Sequence, residues 1–205
     1  MNDVILIDAG TGNLRSVQKA LESIGANVLR TDDPGKVLTG KHVVLPGVGA
    51  FGEFMSGLRA RGLADAVKEI AQRDIPLLGI CVGMQALFDI GEEMGQHAGL
   101  GLIPGKVIQF AESFPVKIPH TGWNQLEIQN NEAPLFCGLN SGAYVYFNHS
   151  FYCQPENSSH ISATTTHGLT YTCAVQSRNI HGVQFHPEKS QTAGLQILKN
   201  FLEIR

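Results

Sequence analysis

The chain opens on an unbroken apolar run, Val4-Ile5-Leu6-Ile7, which predicts a buried strand. Leu14, Val17, Leu21 and Ile24 then recur at helical spacing behind the capping residue Asn13, which predicts an amphipathic helix. Val28-Leu29 begins a second strand, and Asp32-Asp33-Pro34 reads as the start of a short helix. His42-Val43-Val44-Leu45 is a third strand ending in the glycine-rich Pro46-Gly47-Val48-Gly49, and Leu63, Val67 and Ile70 mark a further helix. Residues 76–80 form the fourth strand, followed by a turn at Cys81 and a helix through residue 88. Strands alternating with helices predict a parallel sheet covered on both faces, a three-layer α/β arrangement. The second half changes character. Residues 107–110, 123–128, 144–149, 161–166, 171–176 and 181–185 are strand-like with few helical stretches between, so antiparallel additions to the sheet are expected. Leu195, Leu198 and Leu202, with Ile197 and Phe201, predict a closing helix.

With 205 residues the chain is long enough for one sizeable core, and residues 1–205 are expected to form one domain. An apolar fraction of 43% and a charged fraction of 16% fit a soluble globular protein. A formal net charge of -3 gives no electrostatic case for nucleic acid or an anionic membrane. The longest nearly apolar run, 75–88, is interrupted by Pro76, two glycines and Gln85. It is shorter than the ~18 residues a membrane span needs. Met1-Asn2-Asp3 lacks the basic region of a secretory signal. None of the four cysteines, Cys81, Cys137, Cys153 and Cys173, forms Cys-x-x-Cys, and no histidine pair stands nearby at zinc-ligand spacing. A reducing, cytoplasmic setting without a structural metal or cofactor is therefore expected.

Cys81 adds chemistry to this outline. It sits in Gly79-Ile80-Cys81-Val82-Gly83, straight after an apolar strand. Small residues at two-residue spacing let a chain turn sharply from strand to helix and project a nucleophile from the end of a sheet. Backbone N–H groups of the following helix, from Val82 on, favour a thiolate and can bind an oxyanion. A thiolate also needs a base and a group to orient it. His186-Pro187-Glu188 supplies both: in an extended segment, residues two apart face the same side, toward Cys81. Residues 183–185 fit a strand beside that of Cys81. Acyl transfer through a thioester is the reaction class these residues imply.

With these motifs in place the chain resembles the class I (triad) glutamine amidotransferases, and within them the glutaminase subunits of imidazole glycerol phosphate synthases. The resemblance runs from Asp8-Ala9-Gly10-Thr11-Gly12-Asn13-Leu14-Arg15-Ser16 through Pro46-Gly47-Val48-Gly49, Gly79-Ile80-Cys81-Val82-Gly83, Gly122-Trp123-Asn124 and Tyr146-Phe147-Asn148-His149-Ser150 to His186-Pro187-Glu188-Lys189-Ser190. It implies a flavodoxin-like parallel core with antiparallel additions, and hydrolysis of glutamine to glutamate and ammonia. Cys81 would be the nucleophile, His186 the proton shuttle and Glu188 its orienting partner. The Val82 N–H and one from Val48 would complete the oxyanion hole. Gly47, Gln85 and the backbone of His149, Ser150 and Phe151 would hold the substrate. The implied partner is a TIM-barrel cyclase subunit, forming a heterodimer against Asn13, Ser16, Trp123 and Lys189. It would use the ammonia to make imidazole glycerol phosphate and an aminoimidazole carboxamide ribonucleotide in histidine biosynthesis. Gly47 and Gly49 flank Val48 with little rotational restriction, so its N–H is free to face toward or away from the oxyanion.

Blander readings stand beside these. Cys153 and Cys173 read as buried apolar residues. His42, His97, His120, His160, His167 and His181 read as packing or surface groups, and His149 as a donor of backbone alone. Ala9 and Thr121 replace a usual aromatic and a usual methionine, and Phe151 lacks the hydroxyl of a usual tyrosine. A paralogous glutaminase feeding another acceptor, a stand-alone cysteine hydrolase and a non-catalytic regulatory module remain as alternatives.

Overall fold

The computed structural model describes residues 2–111, 116–130 and 132–205, with Asn2 and Asp3 described by backbone alone. The first half comprises β1 (Asn2–Ile7), α1 (Leu14–Ser23), β2 (Ala26–Thr31), α2 (Pro34–Val37), β3 (His42–Gly47), α3 (Phe51–Ala60), α4 (Leu63–Gln72), β4 (Leu77–Cys81) and α5 (Val82–Gln85). β1 pairs in parallel with β2 on one side and β3 on the other, and β3 pairs in parallel with β4. Every residue of β3 and β4 is buried, so these strands read as continuous apolar runs rather than as alternations. The helices cover the sheet with one face each: α1 turns Leu14, Val17, Ala20 and Leu21 inward, and α4 turns Leu63, Ala66, Val67 and Ile70.

The second half adds β5 (Phe88–Gly91), β6 (His97–Ala98), β7 (Ile103–Gln109), β8 (His120–Gln125), β9 (Glu127–Ile128), β10 (Tyr144–His149), β11 (Phe151–Pro155), β12 (Ile161–His167), β13 (Leu169–Ser177), β14 (Ile180–Val183) and α6 (Gln191–Glu203). The main sheet runs β2-β1-β3-β4-β14-β13-β11-β7-β5-β6, with β12 and β9 extending from β13. β14 joins the halves: it lies parallel to β4 and antiparallel to β13. Among the described residues β8 and β10 pair with each other alone, as a separate antiparallel ribbon. This is the parallel core with antiparallel additions that the hydrophobic pattern predicts.

Three local expectations change. The helix after Cys81 does not run through residue 88: α5 is one turn long, and Phe88 begins β5. Leu87 N–H closes on the Met84 carbonyl three residues back at 3.1 Å, and the next carbonyls accept from a returning loop, Ala86 from Leu100 N–H at 2.8 Å and Leu87 from Leu102 N–H at 2.8 Å. The His186 segment is not extended: Pro187–Lys189 is a 3₁₀ turn, with proline at its first position where no N–H is needed. Helix α3 and strand β11 are elements that the sequence reading omits, although Phe51, Phe54, Met55 and Leu58 carry a helical period.

His181 on β14 is 1% exposed, and neither ring nitrogen has a partner among the described residues. Burial lowers its pKa to about 4 from the ordinary 6.5. The unfolded chain therefore takes up this proton first. Stability is complete above pH 6.5 and falls as pH drops toward 4. His181→Leu is expected to narrow the gap in unfolding free energy between pH 7 and pH 5 by roughly 1–2 kcal/mol, read from thermal unfolding at both pH values. An unchanged gap would count against this assignment.

Candidate active site

Cys81 closes β4 at φ 56° and ψ -113°, a left-handed backbone that a side-chain-bearing residue adopts only under strain. The flanking glycines explain how the turn closes. A Cβ on Gly79 would lie 2.6 Å from the Gly83 carbonyl oxygen, and one on Gly83 would lie 1.8 Å from that of Leu45 in β3. The elbow thus presses backbone against backbone, and register places Gly47 beside Cys81.

The base arrives from β14, whose Val183 pairs with Ile80. The His186 N–H donates to the Tyr146 carbonyl at 2.9 Å. The Ser190 hydroxyl donates to the His186 carbonyl at 2.6 Å and accepts from the Tyr146 N–H at 3.0 Å. The turn is also pressed onto α6, where a Cβ on Gly194 would meet the Pro187 carbonyl oxygen at 1.9 Å. His186 Nδ1 lies 2.9 Å from Glu188 Oε1, with both side chains almost wholly buried. Burial opposes a charge on the His186 ring. Hydrogen bonds to Cys81 and Glu188, together with their negative charges, outweigh it and raise the pKa to about 9. Glu188 Oε2 has no partner among the described residues, so His186 is the cation that balances this buried carboxylate. An imidazolium beside a sulfur is the electrostatic setting of a thiolate nucleophile.

A cavity of about 280 Å³ opens at this point, lined by Val48, Gly49, Cys81, Val82, Gln85, Glu93, Pro119, Asn148, His149, Ser150, Phe151, His186 and Lys189. It brings together the expected nucleophile and base, both expected oxyanion donors, and Gln85, His149, Ser150 and Phe151; Glu188 reaches it through His186. Gly47 is different. It does not line the cavity but lies behind it, where a Cβ would meet the Phe54 ring at 2.7 Å and Gly83 N at 2.8 Å. Its missing side chain lets β3 approach the elbow, and the neighbours Val48 and Gly49 face the cavity instead.

Two groups at the site escape sequence reasoning, one lining the cavity and one buried behind it. Glu93 lines the wall with its carboxylate fixed by the Phe51 N–H at 2.7 Å, and nothing in Glu92-Glu93-Met94 announces it. Gln184 is fully buried, donates to Cys81 Sγ at 3.8 Å and accepts from Gln85 Nε2 at 3.1 Å. Its signal was a lone amide in the apolar run 182–185. Of the expected interface residues, Lys189 lines the cavity and the others do not. The Trp123 ring, 46% exposed, stands edge-on to Tyr146 at 6.1 Å, and Lys189 Nζ lies 5.5 Å from the same ring. Asn13 is exposed and Ser16 half-buried at the start of α1, which contacts the Pro187–Lys189 turn.

A nucleophile elbow in a parallel sheet, with a His–Glu pair in the turn that follows the neighbouring strand, defines a class. The family model for class-I glutamine amidotransferases matches residues 5–204, and the chain belongs to that family. Within it, the chain is 48% identical over 204 residues to the imidazole glycerol phosphate synthase subunit HisH of Moorella thermoacetica, covering 100% of this chain and 96% of that protein. It is 45% identical over 210 residues to HisH of Geobacter sulfurreducens, covering 100% of both. The fold is shared with PurLQS from Thermotoga maritima at a TM-score of 0.76 and 20% identity, covering 98% of each chain. It is also shared with the glutaminase domain of Trypanosoma brucei CTPS at a TM-score of 0.67 and 15% identity, covering 100% of this chain and 95% of that one.

Proposed function

We propose that residues 1–205 act as one glutamine amidotransferase domain that hydrolyses glutamine to glutamate and ammonia, and that the ammonia passes to a TIM-barrel cyclase subunit of an imidazole glycerol phosphate synthase. The Cys81–His186–Glu188 arrangement at the cavity carries this reading. The Cys81 sulfur adds to the side-chain amide carbon of glutamine. His186 protonates the departing nitrogen, the C–N bond breaks and ammonia leaves a glutamyl thioester. Water, deprotonated by His186, then attacks that carbon and the C–S bond breaks to release glutamate. The N–H groups of Val82 and Val48 receive the oxyanion. Gln85, His149, Ser150 and Phe151 hold the amino acid, and Glu93 is the carboxylate placed to accept its ammonium group.

Free ammonia is protonated in water, so a receiving subunit has to cover the cavity mouth. The exposed Trp123, with Lys189, Asn13 and Ser16, is the surface proposed for it. A cytoplasmic setting follows from this biosynthetic role, and the four cysteines are free thiols. The test is glutamate release by this chain alone, with the cyclase, and with the cyclase and its nucleotide substrate. Release that rises on adding the partner supports the reading. Full activity of the isolated chain on other amides would favour a stand-alone hydrolase and overturn it.

A further inference from the structure

Behind the cavity wall, polar side chains that the triad does not use form a continuous line of hydrogen bonds. His149 Nδ1 lies 2.8 Å from the Phe151 carbonyl oxygen, and His149 Nε2 lies 2.9 Å from the Tyr171 hydroxyl. The same hydroxyl lies 2.8 Å from His120 Nδ1, and His120 Nε2 faces Asn124 Nδ2 at 3.4 Å. His120, His149 and Tyr171 are each less than one-tenth exposed. Phe110 packs on both His149 and Tyr171, and the His120 ring stacks between Phe147 and His167. Water therefore has little access to any of these polar atoms.

The direction of every bond follows from one end. A carbonyl oxygen only accepts, so His149 carries its proton on Nδ1 and donates it to Phe151. Nε2 is then an acceptor and takes the Tyr171 proton. A hydroxyl has a single proton, so Tyr171 in turn accepts from His120 Nδ1–H. Both rings are held neutral, as this pattern requires. Burial, then the charges of neighbouring histidines, lowers the His149 pKa to about 3 and that of His120 to about 4.

The receiving end matters for substrate. The Phe151 carbonyl also accepts from Gln85 Nε2 at 3.1 Å, and Gln85 spends its other amide proton on Gln184 Oε1. Only the Gln85 oxygen is left to meet a ligand in the cavity. Its orientation depends on where the Phe151 carbonyl stands, and that carbonyl is held by His149.

We infer that Tyr171 is a positioning residue for substrate glutamine: through His149 it fixes the Phe151 carbonyl, and through that carbonyl the Gln85 amide in the cavity. This rests on the glutaminase reading and adds to it a residue outside the cavity. The role is specific because Tyr171→Phe keeps the ring and its packing while removing one oxygen, leaving His149 Nε2 without a donor.

The experiment compares wild-type and Tyr171→Phe chains, each in complex with the cyclase subunit, by steady-state glutamine hydrolysis. KM for glutamine is expected to rise about tenfold, the effect of losing one buried hydrogen bond, with kcat within about twofold of wild type. His120→Phe leaves Tyr171 donating to His149 and should raise KM less. An active Tyr171→Phe complex with wild-type KM, whatever its melting temperature, overturns the inference, as does an equal rise in both variants. Nitrogen NMR of the unmutated protein gives an independent reading: His149 as the Nδ1–H tautomer supports the relay, and the Nε2–H tautomer overturns it. If the wild-type complex fails to hydrolyse glutamine at all, the glutaminase reading falls and this inference with it.

Discussion

Cys81→Ala is expected to lower glutamine hydrolysis by about 10⁴-fold or more while the chain remains folded, because no other group at the cavity can form the thioester. The informative companion is Cys81→Gly. It is equally inactive, but the left-handed backbone at φ 56° costs a glycine little. Cys81→Gly should therefore be more stable than Cys81→Ala by about 1 kcal/mol, or a few degrees in Tm for a chain of this size. Glutamate release and thermal melting of the two variants measure both effects. Residual activity near wild type would remove Cys81 from the mechanism, and equal melting temperatures would remove the claim of strain at the elbow.

Gly83→Ala is expected to be severely damaging. Its Cβ would lie 1.8 Å from the Leu45 carbonyl oxygen, a backbone atom of a fully buried strand that has no room to retreat. Either β3 or the elbow has to move. We expect a loss of about 3 kcal/mol or more, and no glutaminase activity even in material that folds. Gly49→Ala is the control. Nothing lies within 4 Å of a Cβ there, so only its φ of +89° is penalised, by about 1 kcal/mol. Denaturant melts of the two variants should rank them in that order; a Gly83→Ala variant as stable as Gly49→Ala would contradict the packing described for the elbow.

Sequence reading reached furthest where local pattern and tertiary environment agree. β3 and β4 are buried on both faces and so are visible as apolar runs, and the amphipathic stripes of α1 and α4 are visible for the same reason. Cys81, His186 and Glu188, expected from two short motifs, are brought to one place by the pairing of β14 with β4. The failures share a cause. The helix expected past Gln85 gives way to a strand whose partners, the loop at residues 100–102 and β7, are remote in sequence. Glu93 reaches the cavity only because Phe51 fixes its carboxylate there, and the imidazole of His149, read as backbone alone, acquires partners from β11 and β13. Gly47, expected at the substrate, stands behind the cavity lining, where its missing side chain leaves room for the Phe54 ring and the Gly83 backbone.

The way His186 is suspended has a mechanical consequence. Cys81 is part of the main sheet, held by ladders on both sides of β4. His186 follows β14 of the same sheet, but its backbone is also tied to Tyr146, directly and through Ser190, and Tyr146 belongs to the ribbon of β8 and β10, which shares no ladder with the main sheet among the described residues. His186 is thus held from two sides, by β14 in the main sheet and by the ribbon. The ribbon also carries the half-exposed Trp123 indole, which does not line the cavity, yet a push there bears on the strand whose Tyr146 holds the His186 backbone. Substitutions there can alter the rate of proton transfer without changing a single residue of the cavity.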